Sequence, residues 1–209
     1  MTTDQAAPNR QDRKRDNALA ARRRKILEAA VTCFLENGYH QTGVRDIASR
    51  AGVSLGNLYN HFPGKHDILV EIARLEKAEL APLIKLLAKS GPAIKVFDRF
   101  VSAYAKHVAT PEIVILEIEI TSEAIRKDDI ATLFLENRQE LVAALEHLLK
   151  RGVDEGGFRL PADGHETAHM VLELFEGHAY RCVLGDTPMR KLLPDLKAFL
   201  LSALGVSIQ

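Results

Sequence analysis

The sequence predicts an all-α protein with two domains and about nine helices. Apolar residues recur every three or four positions through most of the 209-residue chain, which is the spacing of one helical face. Glycine and proline divide this pattern into segments of helical length. The hydrophobic content of 46% is enough for a substantial core.

The charges are distributed unevenly, although the net charge is zero. Residues 1–66 contain 11 Lys and Arg against 6 Asp and Glu, whereas residues 67–209 contain 17 against 22. Because phosphate contacts depend on local charge, this distribution favours a nucleic-acid-binding N-terminal domain joined to an acidic second domain. No apolar run approaches the roughly 18 residues of a membrane span, and no secretory signal segment is present, so we expect a cytoplasmic protein with no membrane partner.

Residues 1–17 are polar, include Pro8 and have no apolar face, which predicts a disordered basic arm. The basic residues continue beyond this arm and comprise Arg10, Arg13, Lys14, Arg15, Arg22, Arg23, Arg24 and Lys25. Two interpretations stay open. The run is either an arm that follows the DNA backbone or enters the minor groove, or a solvated basic tail.

Residues 18–66 have the pattern of a three-helix domain. The first helix is expected from about Leu19 to Asn37 and is closed by Gly38. Tyr39 and Phe62 are the aromatic residues expected to fill the core between the three helices.

The stretch Val44–Lys65 predicts two short helices joined by a tight turn. Gly52 can adopt the left-handed conformation that ends the first helix. The Ser54 side chain can cap the N-terminus of the second, which we expect over 55–61. This helix-turn-helix pattern indicates DNA binding.

Residues 67–209 predict a larger helical domain. Its helices, the first of which begins in the preceding domain, are expected over about 65–89, 93–108, from 110 onward, 128–154, 164–184 and 188–204. Pro82 falls inside the first of these and predicts a bend. Cys33 and Cys182 lie in separate apolar patterns, so we expect small buried residues rather than a disulfide or a metal site.

The segment 113–120, IVILEIEI, is ambiguous because its β-branched, partly alternating residues also fit a strand. We predict a helix, since a single strand would have no partner in this chain. Glu117 and Glu119 then have little polar face to occupy, and an inward carboxylate requires a partner. Arg138, a histidine or a cationic ligand could supply it.

Residues 22–70 resemble the DNA-binding domain of the TetR family of transcriptional regulators, through the segment RKILEAAVTCFLENGYHQTGVRDIASRAGVSLGNLYNHFPGKHDIL. The resemblance implies a repressor without enzymatic activity or cofactor. It also implies a homodimer that binds a palindromic operator, pairs through its last two helices and leaves DNA when a small molecule binds the C-terminal domain.

The resemblance also implies which residues contact DNA. These are Arg45, Leu55, Gly56, Asn57, Tyr59, Asn60, His61 and Lys65. Two positions depart from the family pattern. Gly43 replaces a threonine that caps the second helix and contacts phosphate, and Leu55 replaces a residue that is often polar or basic.

Candidate ligand contacts in the second domain are less specific. They comprise Phe97, Phe100, Tyr104, Glu117, Phe134, Arg138, Phe175 and His178. By default most of these aromatic side chains belong to the core. A second alternative is therefore a C-terminal domain that only dimerises.

One enzyme motif competes with this interpretation. Residues 165–169 read His-Glu-Thr-Ala-His, the spacing at which two histidines bind zinc and the glutamate activates water. A third ligand could come from Glu173, but three ligands over eight residues of a straight helix span about 12 Å. One ion cannot easily gather them, so we expect no metal and treat a zinc hydrolase as the rival function.

Overall fold

A computed structural model describes residues 10–185 and 187–206, with side chains described from residue 15 onward. These residues form nine helices and no strand. In chain order they are α1 (Arg10–Gln41), α2 (Val44–Ala51), α3 (Leu55–Tyr59), α4 (Lys65–Leu87), α5 (Ala93–Val108), α6 (Pro111–Ala124), α7 (Asp128–Asp154), α8 (Gly164–Val183) and α9 (Met189–Ala203). The predicted all-α class is confirmed, including the helical form of IVILEIEI within α6.

The chain divides into two compact units, Met1–Ile72 and Ala73–Gln209. The division therefore falls within α4, beyond the boundary expected after residue 66. No helix among residues 10–185 and 187–206 is long and apolar enough to cross a membrane.

Helix α1 begins earlier than the sequence predicted. Residues 10–17 are helical, so the prediction of a disordered arm is wrong for them, while residues 1–9 lie outside the described part of the chain. Arg, Lys, Gln and Ala favour helix intrinsically, and a segment that extends a packed helix avoids the cost of nucleation. The predicted end is also visible, since Gly38 has a non-helical φ of 77°.

The core of the first unit is formed by buried residues of α1 to α4. Tyr39 and Phe62 are buried as predicted, and the Tyr39 ring meets Phe34 edge-on with centroids 5.3 Å apart. Cys33 is in no disulfide and is buried, as expected for a small core residue, whereas Cys182 of the second unit, which is in no disulfide either, is only half-buried.

The core of the second unit centres on aromatic residues of α5 and α8. Phe100 stacks on Tyr104 with centroids 5.6 Å apart, and Phe175 meets Tyr104 edge-on at 6.0 Å. Apolar residues of α7, including Leu145 and Leu148, complete the cluster and are fully buried.

The end of α7 is closed by a tight approach between Gly152 and Phe158. The backbone N–H groups of Gly157 and Phe158 both donate to the Gly152 carbonyl, at 2.9 and 3.0 Å. A Cβ atom on Gly152 would lie 2.0 Å from Cδ2 of the Phe158 ring. That ring is buried and packs edge-on against Phe97 with centroids 5.7 Å apart, so it has little room to move.

We expect Gly152→Ala to lower the free energy of unfolding by about 1–3 kcal/mol, because the added methyl group overpacks the site. Gly56→Ala is the matched control. Gly56 is an exposed residue of α3, and no neighbouring atom lies within 4 Å of the place that an added methyl group would occupy. This substitution should add up to about 1 kcal/mol through helix propensity. Urea unfolding measures both. Equal stability of the two variants would contradict the close approach.

Candidate functional site

The turn between α2 and α3 has the geometry that the sequence predicted. Gly52 adopts φ 63° and ψ 38°, the left-handed conformation, and its N–H donates to the Ser49 carbonyl at 3.1 Å. Val53 N–H then donates to the Ala48 carbonyl at 3.0 Å. The chain therefore leaves α2 sharply and enters α3 after three residues.

Helix α3 is capped at its N-terminus by Ser54, whose Oγ accepts a hydrogen bond from the Asn57 N–H at 3.1 Å. The helix ends at Tyr59, two residues earlier than predicted. His61 and Phe62 follow as a turn, in which both N–H groups donate to the Leu58 carbonyl at 2.9 Å. Pro63 prevents any continuation of the helix beyond this turn, because the residue before a proline is disfavoured in a helix.

The N-terminus of α2 tolerates the departure at Gly43. The Gly43 N–H donates to Asp46 Oδ2 at 2.8 Å, which holds the chain at the cap without a hydroxyl group. The preceding Thr42 is buried, and its hydroxyl donates to the carbonyls of Cys33 and Gly38 at 3.1 and 2.8 Å. A hydroxyl is thus present at this corner, but it faces inward.

The predicted DNA contacts divide into two groups by exposure. Arg45, Gly56, Tyr59 and Asn60 are exposed, whereas Leu55, Asn57, His61 and Lys65 are half-buried. Seven of the eight lie on α2, on α3 or in the turn that follows it. The amide oxygen of Asn57 is buried and accepts no hydrogen bond from any described residue. DNA contact by these residues stays a prediction.

Lys65 has an intramolecular role that the sequence did not predict. Its ammonium group donates to the Tyr39 carbonyl at 2.6 Å and to the His40 carbonyl at 3.4 Å. It also lies 4.3 Å from the centre of the Tyr39 ring, a cation–π contact. Lys65 therefore ties the start of α4 to the end of α1.

The second unit contains a cavity whose empty volume, including solvent at its mouth, is about 440 Å³. Four of the predicted ligand contacts line it, namely Tyr104, Glu117, Phe134 and Arg138. Residues that the sequence did not single out complete the lining. They are Glu76, Leu80, His107, Val108, Ile113, Leu141 and Glu176.

The other four predicted ligand contacts lie elsewhere. Phe97, Phe100 and Phe175 are at most 1% exposed and belong to the core. They are not among the residues that line this cavity, and contact of these three residues with a ligand stays a prediction. His178 lines a separate surface depression with residues of α9, and its Nδ1 lies 2.7 Å from the Leu174 carbonyl oxygen. Helical spacing identifies buried faces, but it does not tell which buried face borders a cavity.

Arg138 is paired with Glu176 rather than with Glu117. Its Nη1 lies 2.7 Å from Glu176 Oε1, and the Tyr104 hydroxyl donates to the same oxygen. Glu117 makes no hydrogen bond or ion pair within residues 10–185 and 187–206. The lining thus contains three glutamates and one guanidinium, which leaves an excess of acidic groups.

The protonation of the cavity follows from its burial. Burial, followed by repulsion from Glu176 and Glu76, raises the pKa of Glu117 to about 7. Burial also raises the pKa of Glu76, against the effect of a hydrogen bond from Asn137. Burial lowers the pKa of His107, so this imidazole is neutral at neutral pH. At neutral pH the Glu117 carboxyl group is therefore divided between its protonated and its ionised form, and a neighbouring cation would favour the ionised form.

The zinc-like motif does not form a metal centre in the described residues, among which no group of three or more His, Cys, Asp or Glu could hold an ion. His165 and His169 lie edge-on with ring centroids 4.8 Å apart. Nδ1 of His165 lies 3.4 Å from a Glu146 carboxylate oxygen, and Nδ1 of His169 lies 3.9 Å from one of Glu173. The two histidines thus each lie beside a different carboxylate.

The turn, the capped α3 and the separate helical unit with its cavity together define a helix-turn-helix regulator class. The family model for bacterial regulatory proteins of the tetR family matches residues 26–72, and that for the C-terminal part of BetI-type transcriptional repressors matches residues 97–204. The chain belongs to the TetR family of bacterial transcriptional regulators. This confirms the family that the sequence resembled.

Relatives and solved structures agree with this membership. The chain is 30% identical over 156 residues to the HTH-type transcriptional repressor KstR2 of Mycolicibacterium smegmatis, covering 69% of this chain and 71% of that protein. A regulator from Saccharomonospora viridis in complex with choline has a TM-score of 0.76 at 24% identity, covering 87% of this chain and 96% of that one. The regulator FadR from Bacillus subtilis in complex with stearoyl-CoA has a TM-score of 0.72 at 22% identity, covering 86% and 97%. The two structures show a shared fold.

We expect Ser54→Ala to lower the stability of the first unit by about 1 kcal/mol, because α3 loses its N-cap. Ser54→Asp keeps a cap acceptor and should stay near the wild-type stability. It places a carboxylate at the start of α3, so it should weaken DNA binding by about tenfold if this end approaches phosphates.

Thermal melts and fluorescence anisotropy with labelled DNA separate the two effects. Wild-type DNA affinity in Ser54→Asp would show that the N-terminus of α3 lies away from the DNA backbone.

Proposed function

We propose that this protein is a transcriptional repressor that binds operator DNA through α2 and α3 and releases it when an organic cation occupies the cavity of the second unit. The proposal of a cationic effector is supported by the residues that line the cavity. Three glutamates border it against a single guanidinium, which is itself paired with one of them. Family membership supports the DNA-binding part.

The residues proposed to contact DNA combine three kinds of group. Asn57 and Asn60 offer amides suited to an adenine edge, and Arg45 offers a cation for a phosphate or a guanine. Tyr59 is 47% exposed, so its ring and its hydroxyl group are accessible to DNA. It is suited to a phosphate through its hydroxyl group or to a thymine methyl through its ring.

Two features of the cavity favour a quaternary ammonium group as the effector. Tyr104 and Phe134 are aromatic residues of its lining, and aromatic side chains are typical of sites that bind such cations. Glu117 supplies a carboxylate without a partner among the described residues. A permanent cation would ionise Glu117 and offset the cost of burying its charge.

The two similar structures suggest opposite effectors. The choline complex of the Saccharomonospora protein supports a cation, while the stearoyl-CoA complex of FadR supports a long anionic ligand. The acidic lining of the cavity favours the first, because phosphates beside three glutamates would be repelled. Release by an acyl-CoA is kept as the alternative.

We also propose that two copies pair through α8 and α9. Met170 on α8 and Phe199 on α9 are 51% and 61% exposed and border one apolar depression. Exposed apolar patches on helices are typical of subunit interfaces. Two copies related by a two-fold axis would match an operator with inverted half-sites.

The rival zinc hydrolase predicts peptide cleavage on addition of zinc, which the same protein preparation can test.

To test effector binding, the full-length protein is first used to select an operator from random-sequence DNA. Release of that operator from the protein is then measured as the effector is added. At about pH 8 we expect choline to release the operator. At about pH 6 the choline concentration for half-release should be roughly tenfold higher, because Glu117, with a pKa of about 7, is then largely protonated. Glu117→Gln should need more choline at pH 8 and lose this pH difference.

Glu119→Gln, on the same helix but outside the cavity lining, is the matched control and should behave as wild type. The other ionisable groups facing Glu117 are Glu76, His107, Arg138 and Glu176, so the pH effect is assigned to Glu117 only if Glu117→Gln removes it. Release by stearoyl-CoA but not by choline would reject the cationic effector.

The dimer is tested with Phe199→Glu, which should yield a monomer in sedimentation equilibrium, because two carboxylates would be buried near the two-fold axis. Operator affinity should then fall by at least about a hundredfold, since the second half-site is no longer bound intramolecularly. Leu135→Glu is the control, because Leu135 is equally exposed, at 62%, but lies on α7. A dimer that survives Phe199→Glu would exclude this interface.

A further inference from the structure

Arg23 differs from the other cations of its basic run. Arg22 is exposed, and Arg24 is 77% exposed with a distant pair to Glu28 on its own helix, at 3.6 Å. Arg23 is half-buried and its guanidinium makes three contacts at once within the first unit. The run that the sequence assigned either to DNA or to solvent therefore contains one residue with a different role.

The three contacts of Arg23 join three elements. Its Nη1 donates to the His61 carbonyl at 3.0 Å, and its Nη2 lies 3.0 Å from Glu71 Oε2. Its central carbon lies 4.2 Å from the centre of the Phe62 ring. His61 and Phe62 form the turn after α3, and Glu71 belongs to α4, so Arg23 holds the end of α3 against α1 and α4.

Only a guanidinium can make this set of contacts. Its planar face stacks on the Phe62 ring while separate N–H groups point to a carbonyl and to a carboxylate. A lysine has one compact charged group, which could reach Glu71 or the His61 carbonyl but could not stack in the same way. The ion pair alone has little energetic weight, since Arg23 is 39% exposed. The main effect of the three Arg23 contacts is therefore to fix the position of the turn that follows α3.

We propose that Arg23 is a positioning residue for DNA reading, which fixes the end of α3, and that it is not a phosphate contact. The inference rests on the proposed function, in which α3 reads the operator. The helix α3 has five residues and is followed at once by the turn that Arg23 holds. A shift of this turn would tilt Asn57, Tyr59 and Asn60 relative to the base edges, while contacts to the DNA backbone would be largely kept.

The test compares full-length wild type, Arg23→Gln, Arg23→Lys and Arg22→Gln. Each is titrated onto the selected operator and onto a scrambled duplex of equal length, over a range of salt concentrations. We expect Arg23→Gln to lower operator affinity about tenfold, the size of one lost charge-assisted hydrogen bond. Affinity for the scrambled duplex and the dependence of binding on salt should not change.

Arg23→Lys should show the same loss, because it restores the charge but not the planar contacts. Arg22→Gln is the matched control for charge, and it should leave the ratio of operator to scrambled affinity unchanged. The ratio of operator affinity to scrambled-duplex affinity separates specificity from stability. A substitution that only destabilises the fold leaves this ratio unaltered below the melting temperature, because it affects binding to both duplexes equally.

Two results would overturn the proposal. Parallel loss of affinity for both duplexes, with a salt slope reduced by about 0.9 and rescue by Arg23→Lys, would make Arg23 a phosphate contact. An unchanged ratio in Arg23→Gln would make it a purely structural residue.

If Arg23→Gln does not fold, Arg23→Lys, which keeps the charge but cannot make the same contacts to His61 and Phe62, carries the test and should lower the ratio without changing the salt slope. An unchanged ratio in Arg23→Lys would then overturn the proposal. Failure of the wild-type protein to select any operator would instead contradict the proposed function, so the two failures are distinguishable.

Discussion

A helix of five residues is not stable by itself in water, so the surface of α3 depends on contacts that hold it from outside. Leu58 and Phe62 are at most 1% exposed and anchor it to the core of the first unit. Ser54 satisfies an N–H group at its start, and the Arg23 guanidinium binds the carbonyl of the turn at its end. Packing therefore fixes the position of a helix whose own hydrogen bonds are too few to do so.

In the cavity of the second unit, by contrast, the important feature is a buried carboxyl group that has no ion-pair partner among the described residues. Arg138 and the Tyr104 hydroxyl both bind Glu176, which leaves Glu117 without a comparable partner among the described residues. Burial in this position disfavours the ionised form of the carboxyl group, as its raised pKa of about 7 indicates. The same burial that disfavours its charge would strengthen its attraction to a cation that excludes water from the cavity.

Local signals in the sequence predicted the first unit well and the cavity only in part. The Gly52 turn, the Ser54 cap and the buried Phe62 are each encoded by a residue and its near neighbours. Glu176 was missed because a glutamate on a helix is usually exposed, and its inward position is determined by Arg138, which is 38 residues away. Phe97, Phe100 and Phe175 are buried beside the cavity lining rather than in it, because periodicity reports burial and not the shape of the space beside a buried face.

The same limitation affects the charge count of the N-terminal third. The excess of Lys and Arg over Asp and Glu in residues 1–66 counts every cation equally, although several have partners within the protein. Arg50 pairs with Glu36, Lys65 binds backbone carbonyls, and Arg23 is held by Glu71. Cations with such partners release fewer counterions from DNA than free ones, so local net charge overstates the number of phosphate contacts. We therefore expect selectivity for an operator to depend more on the polar groups of α3, whose position the Arg23 contact to the following turn helps to hold.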